Sequence, residues 1–373
     1  MLARAGHQPI LIERTAGPID KVCGDFLSQD TIKRAQLLGV DPTALGAAPI
    51  HRVRLTHGER AVDAALPFPA LGLSRRMLDS ALLRQAAKAG AILHTGQTVR
   101  RLTHDGKQWS IQTDTILTAE TVFLATGKHD LRDAPRPHTE RDAVGMKMYF
   151  ELAPEPARSL DGTIELTLFP GGYAGMQGVE AGQTVLCIAA ERAAFLAYGG
   201  GWDALIAAIK RGSPRFARML AEARPLLPRP LAVAGLPYGY QASPGSLFRL
   251  GDQAAVIPSL TGDGIAIALH SGQQAAEAWI GALDAPTYQR ALSCSLAPQM
   301  RLALLLHRAG MSRLTQTAAI PLARLFPGLL RHAASRTRVQ TTPESHSAPL
   351  PPSGSPNRHP GAMRSVFVRT TQL

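Results

Sequence analysis

A carboxylate and a glycine-rich turn stand close together near residue 250. Residues 249–258 read as a buried strand that ends beside the carboxylate of Asp252. Gly262 and Gly264 follow, and an apolar helix begins there. The first N–H groups of a helix lack partners within the helix and carry a partial positive charge. The pattern therefore predicts that the start of this helix faces an anionic ligand.

The N-terminal region has the features of a dinucleotide-binding unit. Residues 10–12 form a short continuous apolar run, as in a parallel strand covered on both faces, and Glu13 follows directly. In such units a Gly-x-Gly-x-x-Gly turn lies roughly twenty residues before this acid. The sequence contains no such turn and begins at Met1. We therefore expect the first strand and the phosphate-binding loop to be missing, and to be encoded upstream of Met1.

Composition excludes several classes of protein. A chain of 373 residues with 45% apolar residues can bury a sizeable core in two packed domains. The net charge is +12, but the arginines are scattered and no basic run alternates with aromatic residues, so we expect no nucleic-acid partner. Cys23, Cys187 and Cys294 are far apart and no cluster has metal-ligand spacing, which predicts neither disulfides nor a metal site. No apolar run approaches the ~18 residues of a spanning helix, and no signal peptide is recognisable, so a soluble cytoplasmic protein is expected.

Four regions differ in sequence pattern. Residues 1–141 alternate short apolar runs with a periodic helix, as in the first part of a dinucleotide-binding domain. Residues 142–248 predict a mostly antiparallel substrate domain, and residues 249–334 return to the first domain and end in helices. Residues 335–373 are rich in Pro, Ser and Thr and are predicted to be disordered. The predicted fold is α/β, a Rossmann-like domain without its first strand and with an inserted substrate domain.

Six segments together resemble one enzyme family. They are Leu-Ala-Arg-Ala-Gly-His at 2–7, Lys21-Val22-Cys23-Gly24, Arg75-x-x-Leu78-Asp79, Ala125-Thr126-Gly127, Gly-Gly-Tyr-Ala-Gly at 171–175, and the block from Gly251-Asp252 to Gly264. In this order and spacing they resemble the FAD-dependent oxidoreductases of the p-hydroxybenzoate hydroxylase fold, within them the geranylgeranyl-reductase-related branch. The similarity extends to about residue 338, and it implies FAD as cofactor, with NAD(P)H or a protein as electron donor.

The resemblance also implies which residues bind the cofactor. Glu13 matches the acid that binds the adenosine ribose, Arg75 the arginine that reaches the diphosphate or ribityl chain, and Asp252 the acid that binds a ribityl hydroxyl. Helix N–H groups near Gly264 would face the flavin N1 and O2 edge, and Pro258 would lie against the ring. The full set of candidate residues is Glu13, Arg14, Cys23, Gly24, Arg75, Val99, Ala125, Thr126, Gly127, Gly251, Asp252, Pro258, Gly262, Asp263, Gly264 and Ile265.

The substrate side of the site stays open at this point. The region around Tyr173 departs from the Gly-Tyr-x-Trp pattern of geranylgeranyl reductases, so a polyprenyl substrate does not follow. Tyr173, Tyr238 and Tyr240 either line a substrate pocket or belong to turns and core. Cys23 is expected near the flavin, but a chemical role for its thiol is not implied. No residue pattern identifies a catalytic acid or base.

Two classes of function fit these observations. The first is an FAD-dependent oxidoreductase that reduces or hydroxylates a small or lipophilic organic substrate, with the reductase type favoured. The alternative is a non-catalytic, truncated paralogue with impaired FAD binding. Amphipathic helices over residues 301–331 are expected to pack on the body, and contact with a membrane is attractive only for a lipid substrate.

Overall fold

The predicted alternation of strands and helices is present in the computed structural model, which describes residues 1–136, 143–326, 328–339 and 365–369. Its strands are β1 (Ile10–Glu13), β2 (Phe26–Leu27), β3 (Ala48–His57), β4 (Arg60–Gly72), β5 (Ile92–Thr95), β6 (Arg101–His104), β7 (Trp109–Gln112), β8 (Ile116–Ala119), β9 (Thr121–Leu124), β10 (Ala143–Glu151), β11 (Thr163–Phe169), β12 (Gly172–Gly178), β13 (Thr184–Glu191), β14 (Arg224–Pro225), β15 (Leu231–Leu236), β16 (Phe248–Arg249) and β17 (Ser365–Arg369). Its helices are α1 (Gln29–Leu37), α2 (Arg75–Lys88), α3 (Pro154–Leu160), α4 (Arg192–Ala197), α5 (Trp202–Gly212), α6 (Pro214–Met219), α7 (Gly264–Ile280), α8 (Ala285–Met311), α9 (Arg313–Leu325) and α10 (Gly328–Arg336).

Five parallel strands form the first sheet, in the order β16-β9-β17-β1-β5. Both faces of this sheet are covered, which explains the continuous apolar runs in its strands. On one face Phe123 and Phe248 pack with residues of α7 and α8. On the other face Ile12 and Val122 pack with the three-stranded sheet β6-β7-β8. The predicted α/β class is confirmed.

The centre of the parallel sheet is filled by a strand from the other end of the chain. β17 lies between β1 and β9, with Val366 opposite Ile10 and Phe367 opposite Phe123. Val366 and Val368 are fully buried, and the ring of Phe367 stacks on that of Phe123 at a centroid distance of 4.3 Å. The alternation Val-Phe-Val thus supplies apolar side chains to both covered faces of the sheet.

This strand corrects two expectations. The position beside β1, expected to be vacant, is occupied by β17. Residues 365–369, expected to be part of a disordered tail, pair with strands on both sides, because burial of their apolar side chains offsets the cost of ordering them. The first residues of the predicted tail belong to the end of α10 and the segment after it. Residues 340–364 and 370–373 of that prediction lie outside the described residues.

The second sheet has nine strands, in the order β14-β10-β13-β12-β11-β3-β4-β2, with β15 also paired to β10. Its pairs are antiparallel except for β3 and β11, which are parallel. Three of its strands precede residue 142, so the substrate domain is not confined to 142–248 as the sequence suggests. The long β3–β4 hairpin joins it because residues 52–57 of β3 pair with β11. The predicted boundary at 141–142 itself lies outside the described residues.

Side chains alternate between the two faces of the second sheet. Met148 and Met176 face a core that includes Phe216 of α6. Tyr173 and Gln177, which point the other way, face a cavity. Helices α8, α9 and α10 lie across this side and contribute to the wall of the same cavity. Within the described ranges, no helix has the length and apolarity needed to cross a membrane.

Candidate active site

One cavity of about 610 Å3 joins the carboxyl edge of the parallel sheet to the inner face of the second sheet. Its first end is lined by Arg75, Asp79 and Arg369. These three residues are here called the charged corner, together with Lys21 and Glu13, which lie outside the lining and form ion pairs with them. Its second end, here called the apolar chamber, is lined by Val53, Leu55, Leu66, Phe68, Ile164, Leu166, Leu168, Leu306 and Leu330. Both ends thus belong to one continuous cavity.

Most of the residues predicted to bind the cofactor meet at this cavity. Those that line it are Cys23, Gly24, Arg75, Ala125, Gly127, Gly251, Asp252, Gly262, Gly264 and Ile265. The predicted residues outside its lining are Glu13, Arg14, Val99, Thr126, Pro258 and Asp263. Val99 packs in the core behind the parallel sheet, and the Thr126 hydroxyl donates to the carbonyl of His129.

Three glycines leave open space along one side of the cavity. A Cβ atom added to Gly24, Gly127 or Gly264 would find no atom within 4 Å, and all three residues line the cavity. Gly127 also has a φ of 64°, which disfavours any other residue. Backbone exposed in this way can approach a flat ligand closely. The shape therefore fits the flavin that the family resemblance implies.

The start of α7 is held tightly against the second sheet. Gly262 has a φ of 70°, and a Cβ there would lie 2.9 Å from the Phe26 ring, so only glycine fits this turn. α7 then begins at Gly264, and Gly264 and Ile265 line the cavity. The first N–H groups of α7 therefore start at the cavity wall, where they favour negative charge on a ligand.

Asp263 anchors this turn. Its carboxylate accepts hydrogen bonds from Arg338 Nη1 at 2.6 Å, Gln299 Nε2 at 2.6 Å and the Val339 amide at 3.0 Å. Burial, opposed by Arg338, raises the pKa of Asp263 to about 6. The side chain thus ties the start of α7 to α8 and to the segment that follows α10. Gln299 and Arg338 were not identified from the sequence.

The charged corner concentrates three cations on one carboxylate. Lys21 Nζ and Arg369 Nη2 each lie 2.5 Å from Asp79 Oδ2, and Arg75 Nε lies 3.0 Å from Asp79 Oδ1. Although burial opposes it, Arg75, Arg369 and Lys21 lower the pKa of Asp79 far below its usual value. Burial, together with the two arginines, lowers the pKa of Lys21 to about 8. Cations are thus in excess here.

Glu13 stands where the sequence predicts, at the end of β1, but its carboxylate is engaged by protein. Arg369 Nε lies 3.0 Å from Glu13 Oε2, and the Thr15 amide donates to Glu13 Oε1 at 3.1 Å. The residue is 2% exposed. The acid predicted to bind a ribose is therefore joined to Asp79 through the guanidinium of Arg369.

A buried ion pair fixes the loop that carries Cys23 and Gly24. Lys147 Nζ donates to Asp25 Oδ2 at 2.6 Å and to the Lys21 carbonyl at 3.0 Å, and the Tyr149 hydroxyl donates to the same carboxylate oxygen at 2.6 Å. Asp25 and Lys147 are both fully buried. Burial raises the pKa of Asp25, and burial and Asp25 together raise that of Tyr149.

Sequence reasoning missed this ion pair, although one signal was present. β10 reads Ala-Val-Gly-Met-Lys-Met-Tyr-Phe, and a lysine in such an apolar strand needs a buried partner. The partner, Asp25, has a positive φ of 56° and lies 122 residues away, so the sequence gives no indication of the pairing. A second lysine, Lys128, donates to the Val22 carbonyl at 2.5 Å.

The apolar chamber holds few polar groups. Gln177 is 1% exposed and lines the cavity, and neither atom of its amide has a hydrogen-bond partner among the described residues. The hydroxyls of Tyr238 and Ser259 hydrogen-bond each other, and Tyr173 lies beside them in the lining. Tyr173 and Tyr238 thus line the cavity, whereas Tyr240 lies outside its lining and packs with Val256 in the core. Burial raises the pKa of Cys187, another lining residue, to about 12, so it is a thiol at neutral pH.

The fold is that of flavin-dependent halogenases and monooxygenases. The flavin-dependent brominase Bmp2 superimposes with a TM-score of 0.71 at 16% identity, over 90% of this chain and 88% of that one. The halogenase PltM in complex with phloroglucinol and FAD gives 0.64 at 12%, over 90% and 82%. PqsL, a probable FAD-dependent monooxygenase from Pseudomonas aeruginosa, gives 0.66 at 14%, over 86% and 94%. No protein-family model and no curated protein matches the sequence.

Proposed function

We propose that this protein is an FAD-dependent oxidoreductase that acts on a small, mostly apolar organic substrate. One observation carries the proposal: most of the predicted cofactor residues line the same cavity as the apolar chamber. A cofactor at the first end would thus have its reactive ring directed at a substrate in the second. FAD in the PltM complex and the description of PqsL as a probable FAD-dependent monooxygenase support the choice of cofactor.

The residues present suit the parts of FAD. Gly24 and Gly264 would let the flavin ring approach the backbone, and the N-terminus of α7 would favour negative charge on that ring. Asp252 lines the cavity and would accept a hydrogen bond from a ribityl hydroxyl. Arg75 lines the same wall and would face the diphosphate. Among the described residues, Asp79 is the one carboxylate within 4.0 Å of the Arg75 guanidinium, so part of its positive charge would be available to a ligand.

Two classes of reaction fit the cavity: oxidation of the substrate, and reduction of a double bond in it. When bound and reduced, FAD supplies either activated oxygen or a hydride. Hydroxylation is favoured by the likeness to a probable monooxygenase and to halogenases. Reduction of a double bond is the second candidate, because the Lys21–Gly24 segment that resembles geranylgeranyl reductases lies against the cavity through Cys23 and Gly24. NAD(P)H or a protein donor would reduce the flavin in either case.

The visible spectrum of the purified protein tests the cofactor. Flavin absorbance near one equivalent per chain is the expected result, and a folded, colourless protein that does not take up added FAD would favour the non-catalytic alternative. Product analysis then separates the reactions. Turnover that stops when oxygen is removed supports oxidation, and turnover that continues without oxygen supports reduction.

A further inference from the structure

The last residue of β17 occupies a position that binds ligands in sheets of this kind. β17 has β1 on one side and β9 on the other, and all three run parallel. β5 lies beyond β1, and β16 lies beyond β9. The chain that leaves β1 therefore next joins this sheet on one side of β17, and the chain that leaves β9 next joins it on the other side. In open parallel sheets, ligands bind beyond the carboxyl ends of the strands at such a point. Arg369 ends β17 and lines the cavity there.

The charges around Arg369 favour an anion. Lys21, Arg75 and Arg369 carry three positive charges, and Glu13 and Asp79 carry two negative charges. The Arg369 guanidinium forms ion pairs with both carboxylates, through Nε with Glu13 and through Nη2 with Asp79. A guanidinium presents five donors in a planar fork, which matches the oxygens of phosphate groups.

We propose that Arg369 is a diphosphate-binding residue of the cofactor site. In this chain, which has no Gly-x-Gly-x-x-Gly turn, the arginine at the end of the central strand supplies positive charge where a dinucleotide places its diphosphate. The proposal rests on the proposed function for the identity of the ligand as FAD. Its charge requirement can be tested separately with ADP and adenosine, which differ only in the diphosphate.

The test compares flavin-free wild type with flavin-free Arg369→Gln by calorimetric titration with ADP and with adenosine. Loss of charge-assisted hydrogen bonds should weaken ADP binding about 10- to 100-fold, with adenosine binding changed less than about twofold. Arg369→Lys keeps the charge but not the fork and should fall between the two proteins. Arg100→Gln, which removes an arginine from an exposed ion pair with Asp114, is the matched control and should bind both ligands like the wild type.

A second variant separates direct contact from repulsion by the exposed acid. Removing Arg369 leaves the carboxylate of Glu13 without this cation, and that carboxylate would itself repel a diphosphate. The double variant Arg369→Gln, Glu13→Gln removes this repulsion. If Arg369 contacts the diphosphate, the ratio of ADP to adenosine affinity stays low in the double variant. A return of that ratio to the wild-type value would overturn the proposal.

The remaining outcomes also decide between the two proposals. Equal losses for ADP and adenosine, or no loss for either, would make Arg369 a purely structural ion-pair partner. FAD binding that is unaffected by Arg369→Gln would overturn the role of Arg369 and leave the proposed function standing. Arg369-dependent preference for ADP in a protein that takes up no flavin would support the role of Arg369 and overturn the proposed function. A wild type that binds neither ADP nor FAD would overturn both.

Discussion

The two ends of the cavity differ in how far their charged and polar groups are paired within the protein. In the charged corner, side chains from β1, α2, β17 and the loop before β2 converge, and each charge has a partner of opposite sign. In the apolar chamber, alternate residues of neighbouring strands present one face of a sheet, and the Gln177 amide and the Tyr173 hydroxyl have no hydrogen-bond partner among the described residues. The corner is thus satisfied without a ligand, whereas the chamber is not.

This difference indicates how the cavity would select its ligands. An anion entering the corner must compete with Glu13 and Asp79 for the arginines, so its affinity depends on charge. A substrate entering the chamber gains from burial of apolar surface, and a group that can hydrogen-bond the Gln177 amide removes an unsatisfied polar pair. The chamber therefore favours a mostly apolar molecule that carries hydrogen-bonding groups for Gln177 and Tyr173.

The largest expected effect comes from the ion pair that supports the corner. Lys147→Met leaves the Asp25 carboxylate buried without its cation, which should lower the free energy of unfolding by about 3–5 kcal/mol. Urea unfolding measures this change. The exposed Lys107→Met serves as the control and should change stability little. In the double variant Lys147→Met, Asp25→Asn, part of the loss should be recovered, and a double variant as unstable as the single one would contradict a charge-based explanation.

The turn before α7 should give a pH-dependent effect of about 3 kcal/mol. The pKa of Asp263 is raised from 3.8 to about 6 in the folded state, so between these values the folded state binds more protons than the unfolded state. The free energy of unfolding of the wild type, relative to that of Asp263→Asn, should therefore fall by about 1.4 kcal/mol per pKa unit as pH rises from about 4 to about 6. Above about pH 6 the difference should stay constant. Urea unfolding of both proteins at several pH values checks the slope. A difference that does not vary with pH would show that Asp263 does not titrate in this range.

The smallest expected effect lies in the chamber. Gln177→Leu puts an apolar side chain in place of a buried amide that has no hydrogen-bond partner in the described part of the chain, so we expect stability to rise by about 1–2 kcal/mol. Binding of substrates with a polar group should weaken in the same variant. Gln112→Leu, at an exposed position on β7, is the matched control for the thermal unfolding measurement. A fall in stability for Gln177→Leu alone would mean that the amide is satisfied within the protein.

Local patterns were sufficient to predict one side of the site. The apolar run of β1, the Gly251–Asp252 pair and the glycines before α7 are short-range signals, and each lies where the sequence predicts. β17 could not be predicted in this way, because five residues in a polar segment gain their burial only from strands more than 240 residues away. The pairing of Lys147 with Asp25 is equally non-local. Long-range pairing thus separates what the sequence reveals from what only the fold shows.

Calorimetric titration of the flavin-free protein with FAD tests the central claim most directly. Gly24→Val places a side chain in the open space along the cavity, whereas Gly245→Val places one in equally open space on an exposed loop away from it. Neither glycine has a positive φ, so both substitutions are compatible with the backbone. We expect the wild type and Gly245→Val to bind one FAD per chain, and Gly24→Val to bind at least about tenfold more weakly. Absence of FAD binding by the wild type, or equal affinity in all three proteins, would contradict the placement of FAD in this cavity.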